Sequence, residues 1–406
     1  MLMQTAGLEA GNGLTVLTID SWEGFAALRH DWDALHRRDM QASFFLSWEW
    51  LAQGFRANPY RWTVLAVRAL DGALVCVVPL KYRVHWSTTR EEIQTELEAG
   101  GRLIWSEYTG FLCEPALEGP ALAAAARALS EMPWARLSMR YVAQKRRAEI
   151  FTEELAALGM EVRFRSYLIN KGETNNLLCP QVDLPEDFDT YLARQVSANT
   201  RQRYNKMRRR HFDTGAYRIE VADATSFETE LDGLLENWLT RWQTVKGEST
   251  ARRVGGNFRD MMMAAQACDA AFLPVLCQGE RRLGALGHIL DRHNGVMHYI
   301  IAGRDTSAEE PFIGDALHFH SIEAAIDKGY VCYDFGHGNE SFKYSYGAED
   351  HETVYFDVRR PEPGASGYFD LLCLGEAMRR MEGYLKDGKA ERAQKICRQV
   401  AELFEV

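Results

Sequence analysis

The first residues grouped so as to do chemistry lie around a hairpin signal. Asn294-Gly295 is a type I′ turn pair, and with those two residues as the loop His298 faces Asp291 and Leu290 faces Tyr299 across the strands. A histidine beside an aspartate is a tuned general base, because the carboxylate fixes the tautomer and raises basicity; the same pair also serves as a half-buried ion pair. His288, Leu290, Tyr299 and Ile301 share the opposite face. A metal site is not expected from His288, His293, His298, His318 and His320, since spacings of five put successive histidines on opposite strand faces.

Three further segments carry functional groups. Pro311-Phe312-Ile313-Gly314-Asp315-Ala316 runs from a polar loop into a helix, and the N–H groups of such a start form an anion site that glycine leaves open. Glu309, Glu310 and Asp315 weigh against a strongly phosphate-binding loop. The segment Asp334 to Tyr344 leaves a strand through Gly336 and Gly338, then presents Glu340, Lys343 and Tyr344, as ligand loops on α/β sheets do. There Lys343 is read as a holder of carboxylate or phosphate, and His337 or Tyr344 as a proton shuttle. Between Arg194 and Arg210 seven bases occur without an acid, with Arg203, Lys206 and Arg210 on one helical face and Tyr204, Met207 and His211 on another. That face is either a clamp for phosphates or a solvated helix.

The elements that position these groups follow from hydrophobic period. Residues 14–180 alternate strands and helices, with strands at Leu14–Ile19, Trp62–Arg68 and Ala73–Tyr82, a polar insert at Thr88–Gly101, a strand at Arg102–Tyr108 and a helix at Pro120–Glu131. One long helix is expected over Glu186–His211. The same order of strands and helices then recurs, through helices Ser226–Lys246 and Gly314–Lys328 and strands Leu283–Asp291, Val296–Ala302, Val331–Phe335 and Glu352–Val358. Pro361-Glu-Pro-Gly364 breaks the chain before a helical tail. The expected organisation is mixed α/β: an N-terminal domain over 1–184, a second over 185–362 and a tail over 363–406.

Composition limits the partners. The 406 residues, 46% hydrophobic and 26% charged, are enough for two cores and too apolar for a disordered chain. A net charge of -10 makes the surface repel polyanions except at a local basic patch such as Arg201–Arg210. No run of about 18 apolar residues crosses a bilayer, and Met1–Asp20 lacks a basic leader, so a cytoplasmic protein is expected. The eight cysteines include no CxxC pair and sit mostly in apolar runs, as reduced buried thiols do.

The second half resembles the GNAT-type acyl-CoA N-acyltransferases, and more closely the CelD-like acetyltransferases found near bacterial cellulose and exopolysaccharide genes, relatives of the FemABX aminoacyltransferases. The resemblance is carried by Arg201–Arg210, by Tyr299-Ile-Ile-Ala-Gly303-Arg304-Asp305, by Gly314 and the helix ending at Gly329-Tyr330, and by Tyr333-Asp334-Phe335-Gly336 with Gly338-Asn-Glu340-Ser-Phe-Lys343-Tyr344. It covers roughly 185–355, and the first half fits a second, degenerate copy of the fold. It implies an acyl-CoA co-substrate at Ala302, Arg304, Phe312, Ile313, Gly314 and Ala316, although Pro311 stands where the family's pyrophosphate motif has Arg or Gln. It implies an amine of a small molecule or saccharide precursor as acceptor, near Tyr299, Asp334, Gly338, Glu340 and Lys343, with Arg203 and Lys206 as further substrate contacts. Attack is direct, with His298 and Asp291, His337 or Tyr344 handling the proton, and no metal. The alternatives are an aminoacyl-tRNA donor, as in FemABX enzymes, or a non-catalytic binding protein of polysaccharide synthesis.

Overall fold

The computed structural model describes residues 8–9, 13–361 and 368–404. Residues 362–364 of the expected chain break, and most of the first twelve residues, lie outside that description. The chain divides into two compact units, one of residues 1–166 with 353–406 and one of residues 167–352. Each is a mixed sheet with helices packed on it. No helix among the described residues is long and apolar enough to cross a membrane.

In the first unit the strands run in the order Thr15–Ile19, Trp62–Arg68, Leu74–Ser87, Glu92–Ala99, Arg136–Val142, Val354–Arg359, Glu161–Phe164. In the second the order is Arg218–Val221, Pro274–Gln278, Arg281–Asp291, Val296–Arg304, Cys332–Asp334, Leu178–Asp183, Glu349–Glu352. The duplication is visible in the pairing. Among the described residues each sheet contains one parallel pair of strands, joined through only three residues, Glu96↔Arg136 to Glu98↔Ser138 in the first and Val296↔Cys332 to His298↔Asp334 in the second. Each pair is bridged by a right-sized crossover helix, Glu118–Glu131 or Ile313–Asp327.

Several expectations are corrected. Val354–Arg359, read as the last strand of the second copy, instead lies between Arg136–Val142 and Glu161–Phe164 in the first sheet. Leu178–Asp183, assigned by sequence to the first domain, completes the second sheet beside Cys332–Asp334. The polar insert contains the strand Glu92–Ala99, whose alternation puts Ile93, Thr95 and Leu97 on one face and Glu92, Glu96 and Glu98 on the other, where Glu96 is itself buried. Arg102–Tyr108 is not a strand: a short turn at Gly100–Leu103 folds so tightly that a Cβ on Gly101 would sit 2.5 Å from the Ser106 hydroxyl. The long helix is two, Phe188–Arg194 and Ala198–Met207, because Ser197 caps the second through a hydrogen bond from Thr200 N, after which residues 208–212 form a π-turn. The tail forms helices Leu374–Lys386 and Ala390–Glu402, which bury Ala377, Ala393 and Ile396. Six of the eight cysteines are buried, Cys268 is half-buried and Cys397 exposed.

In the second unit one glycine sets how closely helix Phe227–Lys246 approaches the sheet. A Cβ on Gly303 would meet the Leu234 carbonyl oxygen at 2.1 Å. Gly303→Ala is therefore expected to destabilise the fold by about 1–3 kcal/mol, as overpacking does, read as a lowered thermal midpoint; an unchanged midpoint would mean the helix yields freely.

Candidate functional site

The site is built where the parallel strands of the second sheet part. Val296–Arg304 and Cys332–Asp334 pair through three residues only, so among the described residues the stretch from Tyr299 to Arg304 has no partner strand on that side. Strand N–H and C=O groups left there point into a wedge, a ready place for a carbonyl oxygen to be bound. Ala302 and Arg304 are exposed along this stretch, with Arg304 donating to the Ala308 carbonyl at 2.9 Å.

At the last paired position His298 Nδ1 lies 2.8 Å from Asp334 Oδ2. Both are buried. The carboxylate accepts from Nδ1–H, which leaves Nε2 as the basic nitrogen. The other Asp334 oxygen accepts from Gly336 N at 2.8 Å, so one carboxylate orients the imidazole and starts the following loop. The expected His298–Asp291 pair is thereby corrected. The hairpin loop spans 292–295, so Asp291 faces Val296 and His298 faces Ile289. Asp291 accepts from His293 N, Asn294 N and the Asn294 side chain, closing the turn.

The opposite face of the same strands holds a buried polar chain. The Tyr333 hydroxyl lies 2.9 Å from His288 Nε2 and 2.9 Å from His318 Nδ1, while His288 Nδ1 lies 3.3 Å from the Phe272 carbonyl. A carbonyl only accepts, so His288 carries its proton on Nδ1, Tyr333 donates to His288, and His318 Nδ1–H donates to Tyr333. Burial pushes both imidazoles down to about 3, which keeps them neutral. Burial also raises the Tyr299 hydroxyl, next to whose ring His318 packs at 4.9 Å. Neither His318 nor Tyr333 was singled out as a site residue from sequence, because an alternating aromatic strand looks the same whether or not its hydroxyls are bridged.

The loop after Asp334 differs from its expected role. Lys343 is 3% exposed, and its ammonium donates to the carbonyls of Gly336 (3.2 Å), His337 (2.8 Å) and Gly338 (2.7 Å) and pairs with Glu340 at 3.0 Å. It ties the loop rather than facing a ligand. Gly336 and Gly338, with φ of 66° and 95°, let the carbonyls converge on it. Tyr344 donates to Asp350 at 2.6 Å, and burial with that carboxylate raises its hydroxyl far above the range of a proton shuttle. His337 Nδ1 lies 3.1 Å from the buried Cys179 thiol.

Above the wedge, helix Ile313–Asp327 starts without a side-chain cap. Gly314 is exposed and a Cβ there would meet nothing within 4 Å, so the first-turn N–H groups are open to an anion. Phe312 is packed between His211 (4.2 Å, stacked) and Tyr217 (5.3 Å), and Ile313 and Ala316 face the core, so these three offer backbone rather than side chains. The nearby acids are engaged: Glu310 accepts from Tyr217, and Asp315 from Tyr346 with Arg203 at 3.5 Å. Arg203 is thus turned to the protein's own carboxylate, while Lys206 and Arg210 are exposed. Among the described residues no group of three or more His, Cys, Asp and Glu is disposed to hold a metal.

The first unit lacks these features at matching places. Its last parallel pair is Glu98↔Ser138, with Glu98 held by Lys81 at 2.7 Å. At the start of its crossover helix Glu118 accepts from the fully buried Arg147, which also forms a two-pronged pair with Asp39 at 2.6 and 2.8 Å. Its own carboxylate occupies the position an anion would take.

Residues 198–344 match the family model of the acetyltransferase (GNAT) domain. No curated protein matches the chain by sequence. Among solved structures, FemX is similar with a TM-score of 0.56 and 12% identity, over 81% of this chain and 95% of that one. A tandem GNAT protein from the clavulanic acid biosynthesis pathway gives 0.47 and 12%, over 86% and 100%. L-PGS from Bacillus licheniformis gives 0.47 and 12%, over 85% and 94%. The parted strands, the uncapped helix start and the His298–Asp334 contact all fall inside the segment that matches an acetyltransferase (GNAT) domain, within a chain whose fold is similar to that of FemX.

Proposed function

We propose that the second unit is an acyltransferase that moves an acyl group, acetyl in the simplest case, from an acyl-CoA thioester to an amine of a small molecule or saccharide precursor of the kind CelD-like enzymes serve. The observation that supports this most is the wedge at His298↔Asp334, which sets a basic nitrogen beside strand N–H groups under an open helix start. The donor's phosphates rest on the N–H groups around Gly314, and its carbonyl oxygen accepts from the strand near Ala302. An alkylammonium is almost wholly protonated at neutral pH, so His298 Nε2 takes its proton directly or through one water. The amine then attacks, the C–S bond breaks, and the thiolate leaves to be reprotonated as the amide forms. Glu340, whose side chain is 37% exposed, is the carboxylate assigned to hold the incoming ammonium.

The test is calorimetric titration of the full chain with acetyl-CoA and longer acyl-CoAs, repeated on Gly314→Glu. The open surroundings of Gly314 let the variant fold, and its carboxylate repels phosphates. Micromolar binding in the wild type that weakens about 100-fold or more in the variant, a loss of about 2.7 kcal/mol, supports the reading. Absence of binding to every thioester overturns it. The exposed bases Lys206 and Arg210 favour a second reading, an aminoacyl-tRNA donor, which salt-sensitive binding of charged tRNA would support.

A further inference from the structure

A cavity of about 260 Å³ opens between the basic helix and the crossover helix of the second unit. Its walls are Tyr204, Met207, Phe212, Ile219 and Ala316; Arg208, Asp213 and Glu323 stand among them. Pockets for drug-sized molecules run from about 300 Å³ upward, so this one suits a single ring system. His320 also lines it, and His320 Nε2 is a buried atom that finds no hydrogen-bond partner within the protein. Buried polar nitrogens are nearly always satisfied, and one left bare on a cavity wall marks a place where a ligand atom or a water is bound.

The occupant's chemistry follows from the lining. Burial keeps the His320 ring neutral, so its nitrogen offers either one donor or one lone pair. Glu323, one turn further along the same helix, adds a carboxyl group whose protonation burial favours. Side chains at i and i+3 are neighbours, so the two present adjacent hydrogen-bonding groups to one edge of a flat ligand, with Tyr204, Met207 and Phe212 against its faces. Arg208, the cation on this wall, is turned to Asp213 at 3.9 Å, so the cavity offers a phosphate no uncommitted positive charge. Ala316, however, belongs to the first turns of the helix whose open start at Gly314 accepts an anion. A base inside and phosphates outside, over the helix start, describe one nucleotide.

We infer that this cavity is a subsite for the adenine base of the donor's adenosine end, gripped by His320 and Glu323. The inference rests on the acyl-CoA reading and adds to it a place where the nucleotide, rather than the thioester, is recognised.

Adenosine 3′,5′-bisphosphate, which has the nucleotide and no thioester, is the probe for calorimetry on the full chain, beside guanosine 3′,5′-bisphosphate. The wild type is expected to bind the adenosine compound in preference, and His320→Leu to weaken it about tenfold, the effect of one lost hydrogen bond. In turnover assays the same substitution lowers the preference for acetyl-CoA over acetyl-pantetheine by a similar factor. Glu323→Gln, which keeps the shape, serves as the second variant should His320→Leu fold poorly. Equal binding of the two bisphosphates, or an unchanged donor preference in both variants, overturns the subsite while leaving acyl transfer intact. Adenosine bisphosphate binding that depends on His320, with no transfer from either thioester, supports the subsite and counts against the catalytic reading instead.

Discussion

Replacing His298 by alanine is expected to lower kcat for acyl transfer by about 10²- to 10⁴-fold, the contribution of a positioned general base. The thermal midpoint should fall as well, since alanine leaves a cavity and takes from the buried Asp334 carboxylate one of its partners, so rates are compared at a temperature where both proteins are folded. Donor affinity should be nearly untouched, because the open helix start at Gly314 carries the phosphates. Asp334→Asn separates a chemical from a packing role. The amide oxygen still accepts from Gly336 N, but its NH₂ then faces His298 Nδ1 and drives the proton to Nε2, removing the lone pair that takes the amine's proton. A loss of kcat of about 10²-fold or more in this nearly isosteric variant follows. Wild-type single-turnover rates in both variants would remove the pair from the reaction and leave it a buried ion contact.

Much of this was legible in the sequence, and the rest fails for identifiable reasons. The crossover helix, the glycine at its start and the strands on either side are marked by period and by glycine, both local signals. The pairing of His298 is not local. Asn294-Gly295 signals a turn, but Asp291 has the shorter route to its own turn's N–H groups, which lengthens the loop to 292–295 and moves the strand partner of His298 to Ile289. Asp334 reaches His298 only because the chain crosses over by a helix and returns parallel, 36 residues later. The same long-range logic hid the unit boundary. Leu178–Asp183 and Val354–Arg359 have ordinary strand patterns, and nothing in either says which sheet it joins. The strand Glu92–Ala99 was hidden by its glutamates, since a polar face outweighs Ile93 and Leu97 in any average over the segment. Lys343 illustrates the limit most sharply: a lysine after a glycine-punctuated loop reads as a ligand group, and only the three carbonyls turned toward it reveal the opposite.

Lys343→Met is therefore expected to act first on stability. The methionine fills the volume but leaves the carbonyls of Gly336, His337 and Gly338 without their shared donor and Glu340 without its partner. Losing these bonds to a buried charge costs about 2–4 kcal/mol. For a unit of this size that lowers the thermal midpoint by roughly 5 to 15 °C. Lys343→Arg should not restore it, because a planar guanidinium cannot aim three donors at carbonyls arranged around a point. Activity should fall with the loop: Gly336 N leaves Asp334, the tether that orients His298 loosens, and kcat drops while donor binding at the helix start persists. Had Lys343 instead held a substrate carboxylate or phosphate, the methionine variant would melt at the wild-type temperature and show a raised KM alone. A differential scan and one set of steady-state kinetics on the same preparation distinguish the two roles.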